Sequence, residues 1–153
     1  MTEQIQAFEL AAYIPYKLTL AAEKLSTEFS ARYREKFGIT IAEWRVLVHV
    51  SDAGSVSIRD IHQRVHLDKV TASRAASKLV KAGILIKDKN EMDRRLVALT
   101  LSKQGEEVMK EILAIAVQFQ NQISELLSTD ADSFIGALDR ILDVDLDTEY
   151  SEP

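Results

Sequence analysis

A mostly helical fold carrying one small β-hairpin is predicted by three observations. Glycine and proline are scarce, at 5 and 2 in 153 residues, which favours helix over turn-rich architectures. Apolar residues recur at three- and four-residue spacing through most of the chain. One stretch, 84–101, breaks that period and reads as apolar strand, charged tip, apolar strand. A hydrophobic content of 46% is enough to fill the core of one domain, or of two small fused ones.

The elements follow in order. Leu18, Ala21, Ala22, Leu25, Phe29, Tyr33 and Phe37 share one face of a helix over 15–37. Pro15 suits its first turn, because a missing N–H costs nothing there, and Gly38 suits its end. Thr40 with Glu43 three residues on forms a capping box for a helix over 41–51 that carries Trp44, Val46, Leu47 and Val50. Residues 52–55 read as a turn. Ser57 with Asp60 gives a second, weaker box that opens a short helix. Asp68 caps the next helix, 69–82, which Gly83 ends. Strands are expected over 84–88 and 96–101, joined by the charged tip 90–95. Ser102 caps a long helix to about residue 127, with Val108, Ile112, Ile115, Ala116, Phe119, Ile123 and Leu126 or Leu127 on one face. Thr129 or Asp130 starts a last helix bearing Phe134, Ile135, Leu138, Ile141 and Leu142.

Two short helices around a tight turn, followed at once by a basic hairpin, make a winged helix-turn-helix, a device for docking on duplex DNA. The net charge of −5 argues against a nucleic-acid partner until its distribution is read. Residues 55–95 carry ten Lys/Arg and five Asp/Glu, a local +5, whereas the remainder carries −10. Local charge sets the potential a phosphate meets, and the acidic remainder favours a single docking face. The long helices on both sides exceed what one winged domain needs. Their apolar stripes require cover, and a two-fold partner is the simplest source. The expected organisation is a helical dimerisation region (1–37 and 103–146), a winged helix-turn-helix domain (38–102) and an acidic tail (147–153).

Other function classes find little footing. The chain has no cysteine, which excludes disulfides, thiolate metal sites and thiol redox sensing. It shows no glycine-rich phosphate loop, nucleophile elbow or metal-hydrolase motif, so an enzyme is not expected, nor is a cofactor. No run approaches the roughly 18 apolar residues of a membrane span. The start, Met-Thr-Glu-Gln-Ile-Gln, lacks the basic-then-apolar run of a signal peptide. A cytoplasmic location without membrane partners is the default expectation.

From about Tyr13 to Leu142 the chain resembles the MarR family of bacterial transcriptional regulators. The resemblance is carried by Gly38-Ile-Thr-Ile-Ala-Glu-Trp-Arg-Val-Leu47, Leu67-Asp-Lys-Val-Thr-Ala-Ser-Arg74 and Leu79-Val-Lys-Ala-Gly-Ile84. Asp93-Arg-Arg95, followed by Leu99-Thr100 and Gly105, is the most discriminating piece. Ser102 stands where threonine is more usual, which keeps a capping hydroxyl. The absence of cysteine removes the peroxide-sensing branch. The resemblance implies a homodimer with interleaved terminal helices, gripping a pseudo-palindromic operator. It also implies a repressor released by a small ligand, often an aromatic acid, with thioesters of such acids as further candidates.

On the helix 69–82, Ala72, Ala75, Ala76, Leu79 and Val80 share the inward side. Thr71, Ser73 and Arg74 are expected at base edges, where the Arg fork can take guanine bidentately. Lys69, Ser77 and Lys78, with Ser57 and Arg59 on the preceding segment, are expected on phosphates. Arg94 or Arg95 should reach the minor groove from the wing tip. The resemblance suggests that Arg95 is held by Asp93 or Asp68, leaving Arg94 the freer finger. It also places an effector pocket between the first long helix, the Trp44 helix and the base of the helix from 103. Tyr13, Tyr16, Leu20, Trp44, Arg45 and His49 are candidate lining residues. Trp44 would supply a flat wall, and Arg45 or His49 would pair with a carboxylate. A sole Trp on an amphipathic helix is more often plain core, and His49 reads equally as a satisfied or solvent-facing histidine. His62 and His66, four apart between Asp60 and Asp68, leave two further readings open. One is a metal-dependent regulator; the other gives these imidazoles phosphate contacts or a packing role. A helical protein-interaction module that has lost DNA binding is a third class, against which Arg74, Lys78, Arg94 and Arg95 argue.

Overall fold

The computed structural model describes residues 8–89 and 97–146. A short 3₁₀ turn (Leu10–Ala12) leads into α1 (Ile14–Phe37) and α2 (Ile41–Ala53). The strand β1 (Val56–Ser57), α3 (Ile61–Arg64) and α4 (Lys69–Lys81) follow. Next come β2 (Leu85–Lys89), β3 (Val97–Leu101), α5 (Lys103–Leu127), a second 3₁₀ turn (Ser128–Asp130) and α6 (Ala131–Asp143). The fold is thus mostly helical with one three-stranded antiparallel sheet of order β1-β3-β2. Two compact units divide it, residues 1–116 and 117–153. Among the described residues no helix is long and apolar enough to cross a membrane.

Local capping chemistry sets most helix ends. Pro15 occupies the first turn of α1, and Gly38 takes the left-handed conformation at its end, φ 66°. The Thr40 hydroxyl accepts from the Glu43 N–H at 3.2 Å, and the Glu43 carboxylate accepts from the Thr40 N–H at 3.0 Å. Both halves of the capping box are therefore made, and two otherwise unpartnered donors at the α2 start are satisfied. Asp68 caps α4 by accepting from the Thr71 N–H at 2.8 Å.

The first unit closes its own core. Val46, Leu47 and Val50 of α2, Ile61 and Val65, Leu79 of α4, Leu85, Leu99, and Met109 and Ile112 of α5 are all buried there. The register pairs Leu85 with Leu101 and Lys89 with Val97 across the hairpin.

The joint between hairpin and α5 is tight. Ser102 Oγ lies 2.5 Å from the Gly83 carbonyl and 3.1 Å from that of Ile84, and it accepts from the Gly105 N–H at 2.9 Å. A Cβ on Gly105 would lie 2.1 Å from the Ile84 carbonyl oxygen. This explains physically why glycine stands three residues after the capping hydroxyl. At the far side of the unit, Lys36 at the end of α1 pairs with Glu111 of α5.

Two sequence expectations are corrected. Ser57 and Asp60 do not form a capping box: Ser57 is in β1, paired with Ala98 of β3, and the turn that follows delays α3 to Ile61. Pairing with a strand some forty residues away outweighs the local signal. Asp52 and Ala53 complete the last turn of α2 instead of forming a turn of their own, and Gly54 stops the helix at φ 74°.

In the second unit, Phe119, Ile123 and Leu127 of α5 are half-buried, but no residue of α6 is buried. Leu126 and Leu142 are 83% and 82% exposed, and Phe134, Ile135 and Ile141 are exposed too.

Candidate nucleic-acid interface

The helix α4 has two chemically opposite faces. Ala72, Ala75, Ala76 and Leu79 are buried against the core. Val70, Ser73, Arg74, Ser77 and Lys81 are exposed, and at 100° per residue they lie opposite those core positions. Lys69 is exposed at the helix start. Arg74 has no ion-pair partner among the described residues. The sequence expectation for Ser73, Arg74 and Ser77 therefore falls on one open stripe.

Thr71 and Lys78 lie on the flank that faces α2. Thr71 is half-buried, and its hydroxyl donates to Asp68 Oδ2 at 2.6 Å, so its proton serves the cap. These bonds hold the exposed Asp68 carboxyl below its ordinary value, with the Thr71 hydroxyl the largest cause and the Thr71 N–H next. Lys78 Nζ stands 3.7 Å from the carboxylate of Glu43, which is buried and also closes the α2 capping box. Glu43 thus ties the α2 start to α4, a role that local reading of a capping box does not reveal. Between the two helices lies a groove of about 450 Å³ lined by Thr40, Glu43, Thr71, Arg74, Ser77 and Lys78, among others.

Ser57 sits half-buried in β1, and its hydroxyl accepts from the Arg59 N–H at 3.3 Å. Arg59 is exposed beside Asp60, 3.8 Å away. Lys87 and Lys89, in the middle and at the tip-side end of β2, are exposed to solvent. Arg94 and Arg95, with the Asp93 partner suggested for Arg95, lie outside the described residues.

The candidate effector residues are not brought to one place. Trp44 joins Phe29 and Tyr33 in an aromatic cluster, with ring centroids 5.2 and 5.6 Å away, between α1 and α2. Burial pushes the Tyr33 hydroxyl up to about 12, against the opposing pull of Arg34 and Arg45. Arg45, one residue on from Trp44, lines a different feature, a groove of about 560 Å³ between α1 and α2 with Thr19, Glu23, Ser26 and Ile41. Tyr13, Tyr16 and Leu20 are exposed on or just before the first turns of α1, and His49 is half-buried on α2. None of these four, nor Trp44, lines that groove.

His62 Nδ1 faces the Arg59 carbonyl at 3.2 Å. His66 occupies the left-handed conformation, φ 52°, in the turn between α3 and α4. No group of three or more potential ligands assembles among the described residues, so these histidines gain no support as a metal site.

The architecture defines a winged helix-turn-helix protein whose α4 offers a polar and cationic outer face. Residues 37–96 of the chain match the model of the MarR family. Among curated relatives, it is 25% identical over 92 residues to the HTH-type transcriptional regulator SarZ of Staphylococcus epidermidis. That match covers 60% of this chain and 62% of the relative, so the chain spans less than two thirds of SarZ. It is 27% identical over 108 residues to the HTH-type transcriptional repressor MdtR of Bacillus subtilis, covering 71% of this chain and 69% of that one.

Solved structures extend the likeness beyond the matched segment. The fold agrees with BpsR of Bordetella bronchiseptica at TM-score 0.77 and 21% identity, over 90% of this chain and 99% of the other. NadR, solved in complex with 4-hydroxyphenylacetate, matches at TM-score 0.72 and 25% identity, over 86% and 92%.

Proposed function

We propose that this chain is a sequence-specific double-stranded DNA-binding transcriptional regulator that works as a homodimer, repressing until a small aromatic acid releases it. The observation that carries the reading is the division of α4. Its inward face is spent entirely on the core, and its outward face presents Ser73, Arg74 and Ser77 beside a basic hairpin. The N-terminal half of such a helix enters the major groove. Arg74 then reads a base edge, while Lys69, Lys78, Ser57 and Arg59 bind phosphate and fix register, with Arg94 and Arg95 reaching the adjacent minor groove. MdtR is a named repressor, which supports that sense of regulation.

A second copy supplies cover for the exposed apolar side chains of α6 and spaces two α4 helices about one DNA turn apart, roughly 34 Å. The effector reading rests on the likeness to NadR and on Arg45, which places a guanidinium in the groove between α1 and α2. A bound carboxylate there favours a second spacing of the α4 helices, and repression lifts by the difference in affinity between the two states.

The test is a pair of variants measured on a duplex that the wild-type protein selects from a random-sequence pool, and on an unrelated duplex. Arg74→Ala should lose at least tenfold on the selected duplex and little on the unrelated one. Lys78→Ala should weaken both and flatten the salt dependence. Equal losses for both variants on both duplexes would remove Arg74 as the base reader and leave only charge-driven binding.

A further inference from the structure

Val70 is the one apolar residue on the open stripe of α4, and no packing among the described residues accounts for it. It is 59% exposed at the second position of the helix. It precedes Ser73 by three residues and Arg74 by four, the spacing that puts side chains on one helix face. It lies opposite Ala72, Ala76 and Leu79, so it takes no part in the core. A β-branched residue is also a weaker helix former than alanine or the straight-chain polar residues. Both folding and solubility would be served by a polar residue here.

Thr71 is the other first-turn residue outside the core with a methyl group to offer a base. It is half-buried, turned toward α2, and bonded through its hydroxyl to Asp68 at 2.6 Å. The first turn of α4 therefore presents Val70, not Thr71, to whatever the stripe contacts.

We infer that Val70 is a specificity-determining residue that reads the 5-methyl group of a thymine in the major groove. That methyl is the apolar feature distinguishing a T·A pair there, and small apolar side chains are what recognise it. Val70 and Arg74, four residues apart and both exposed, share that face. The stripe would then read a thymine and a nearby guanine in each half-site. The inference rests on the DNA-binding reading above and replaces Thr71 by Val70 among its base contacts.

The experiment is a coupling measurement on the full-length protein. The probe is the duplex that wild-type protein selects from a random pool, with each thymine replaced in turn by uracil, which removes only the methyl. One thymine per half-site should weaken wild-type binding about three- to tenfold when replaced, the scale of losing one buried methyl contact. Val70→Ala should lose a similar factor on the unmodified duplex and lose nothing more at that thymine. Its response at all other thymines should match wild type. Val70→Thr, which keeps one methyl, should fall between. If selection succeeds but no uracil position couples to Val70, the inference is overturned and the DNA-binding reading stands. If no sequence is enriched from the pool, both fall together.

Discussion

The two units of this chain treat their apolar side chains in opposite ways. In the first, Leu47, Ile61, Leu79, Leu99 and Ile112 are almost fully enclosed by α1 to α5 and the small sheet. In the second, no residue of α6 is fully buried, and Leu142 is left 82% exposed. The same contrast runs along α1: Tyr33 near its end is in the core, whereas Ile14, Tyr16 and Leu20 near its start are exposed. A helix with a strong apolar stripe and no cover is stable only when something else buries that stripe. The first unit, with Tyr33 of α1 and Met109 and Ile112 of α5 in its core, thus encloses its own apolar side chains, and the proposed function assigns cover of the exposed ones on the terminal helices to a second copy.

The largest expected effect sharpens this contrast. Leu99→Ala removes a fully enclosed side chain and should cost about 2–5 kcal/mol of stability, measured by urea unfolding, at every protein concentration. Leu142→Ala removes a solvent-facing one and should cost less than about 0.5 kcal/mol in the isolated chain. Its loss should appear instead as a lower midpoint that depends on protein concentration, because binding of a partner to the native state adds stability by mass action. A concentration-independent loss of several kcal/mol for Leu142→Ala would break the comparison.

A smaller effect concerns Tyr33, which joins the core to the aromatic cluster with Trp44. Its hydroxyl ionises near 10.0 in the unfolded chain and only at about 12 in the fold. The stability tied to the neutral form is complete below 10 and is lost as pH rises toward 12. Two pH units correspond to roughly 2–3 kcal/mol. Unfolding measured between pH 9 and 12 should show that decline, and Tyr33→Phe should flatten it.

The smallest effect lies at the surface, at the α4 cap. The Asp68 carboxyl is held below its ordinary value by the Thr71 hydroxyl and N–H. A depressed carboxyl contributes stability above its unfolded value of 3.8 that is lost as pH falls through the folded value. Acid unfolding of Asp68→Asn should therefore differ from wild type near neutrality and converge with it as pH falls below 3.8 and through the folded value. A constant gap down to pH 2 would mean that the carboxylate charge plays no part in the cap.

What could be read from the sequence was chiefly local. Thr40 with Glu43, Asp68 with Thr71, Ser102 with Gly105 and Gly38 with Arg34 each make a capping contact within four residues, and their spacing alone announced the helix ends. The inward face of α4 was legible for the same reason, since 72, 75, 76 and 79 follow the helical period. The strand β1 was not, because its partner is β3 and Ser57 carries a local capping signal that points elsewhere. The pair Glu43–Lys78 was hidden because its partners lie on different helices. Trp44 and Arg45 are neighbours in sequence but enter different surroundings, one an aromatic cluster and the other an open groove. Val70 was visible in principle: it is the one apolar residue of its helix that falls opposite the core face.

The most direct test of the central claim, that the winged segment docks on DNA as one of a pair held by the terminal helices, is sedimentation velocity with the selected duplex. The free protein and its complex would be followed across a salt series from about 50 to 200 mM. The account predicts a dimer in the absence of DNA, two chains per duplex, and an affinity that falls steeply with salt while preference for the selected sequence persists. A monomer that binds every duplex alike would contradict it.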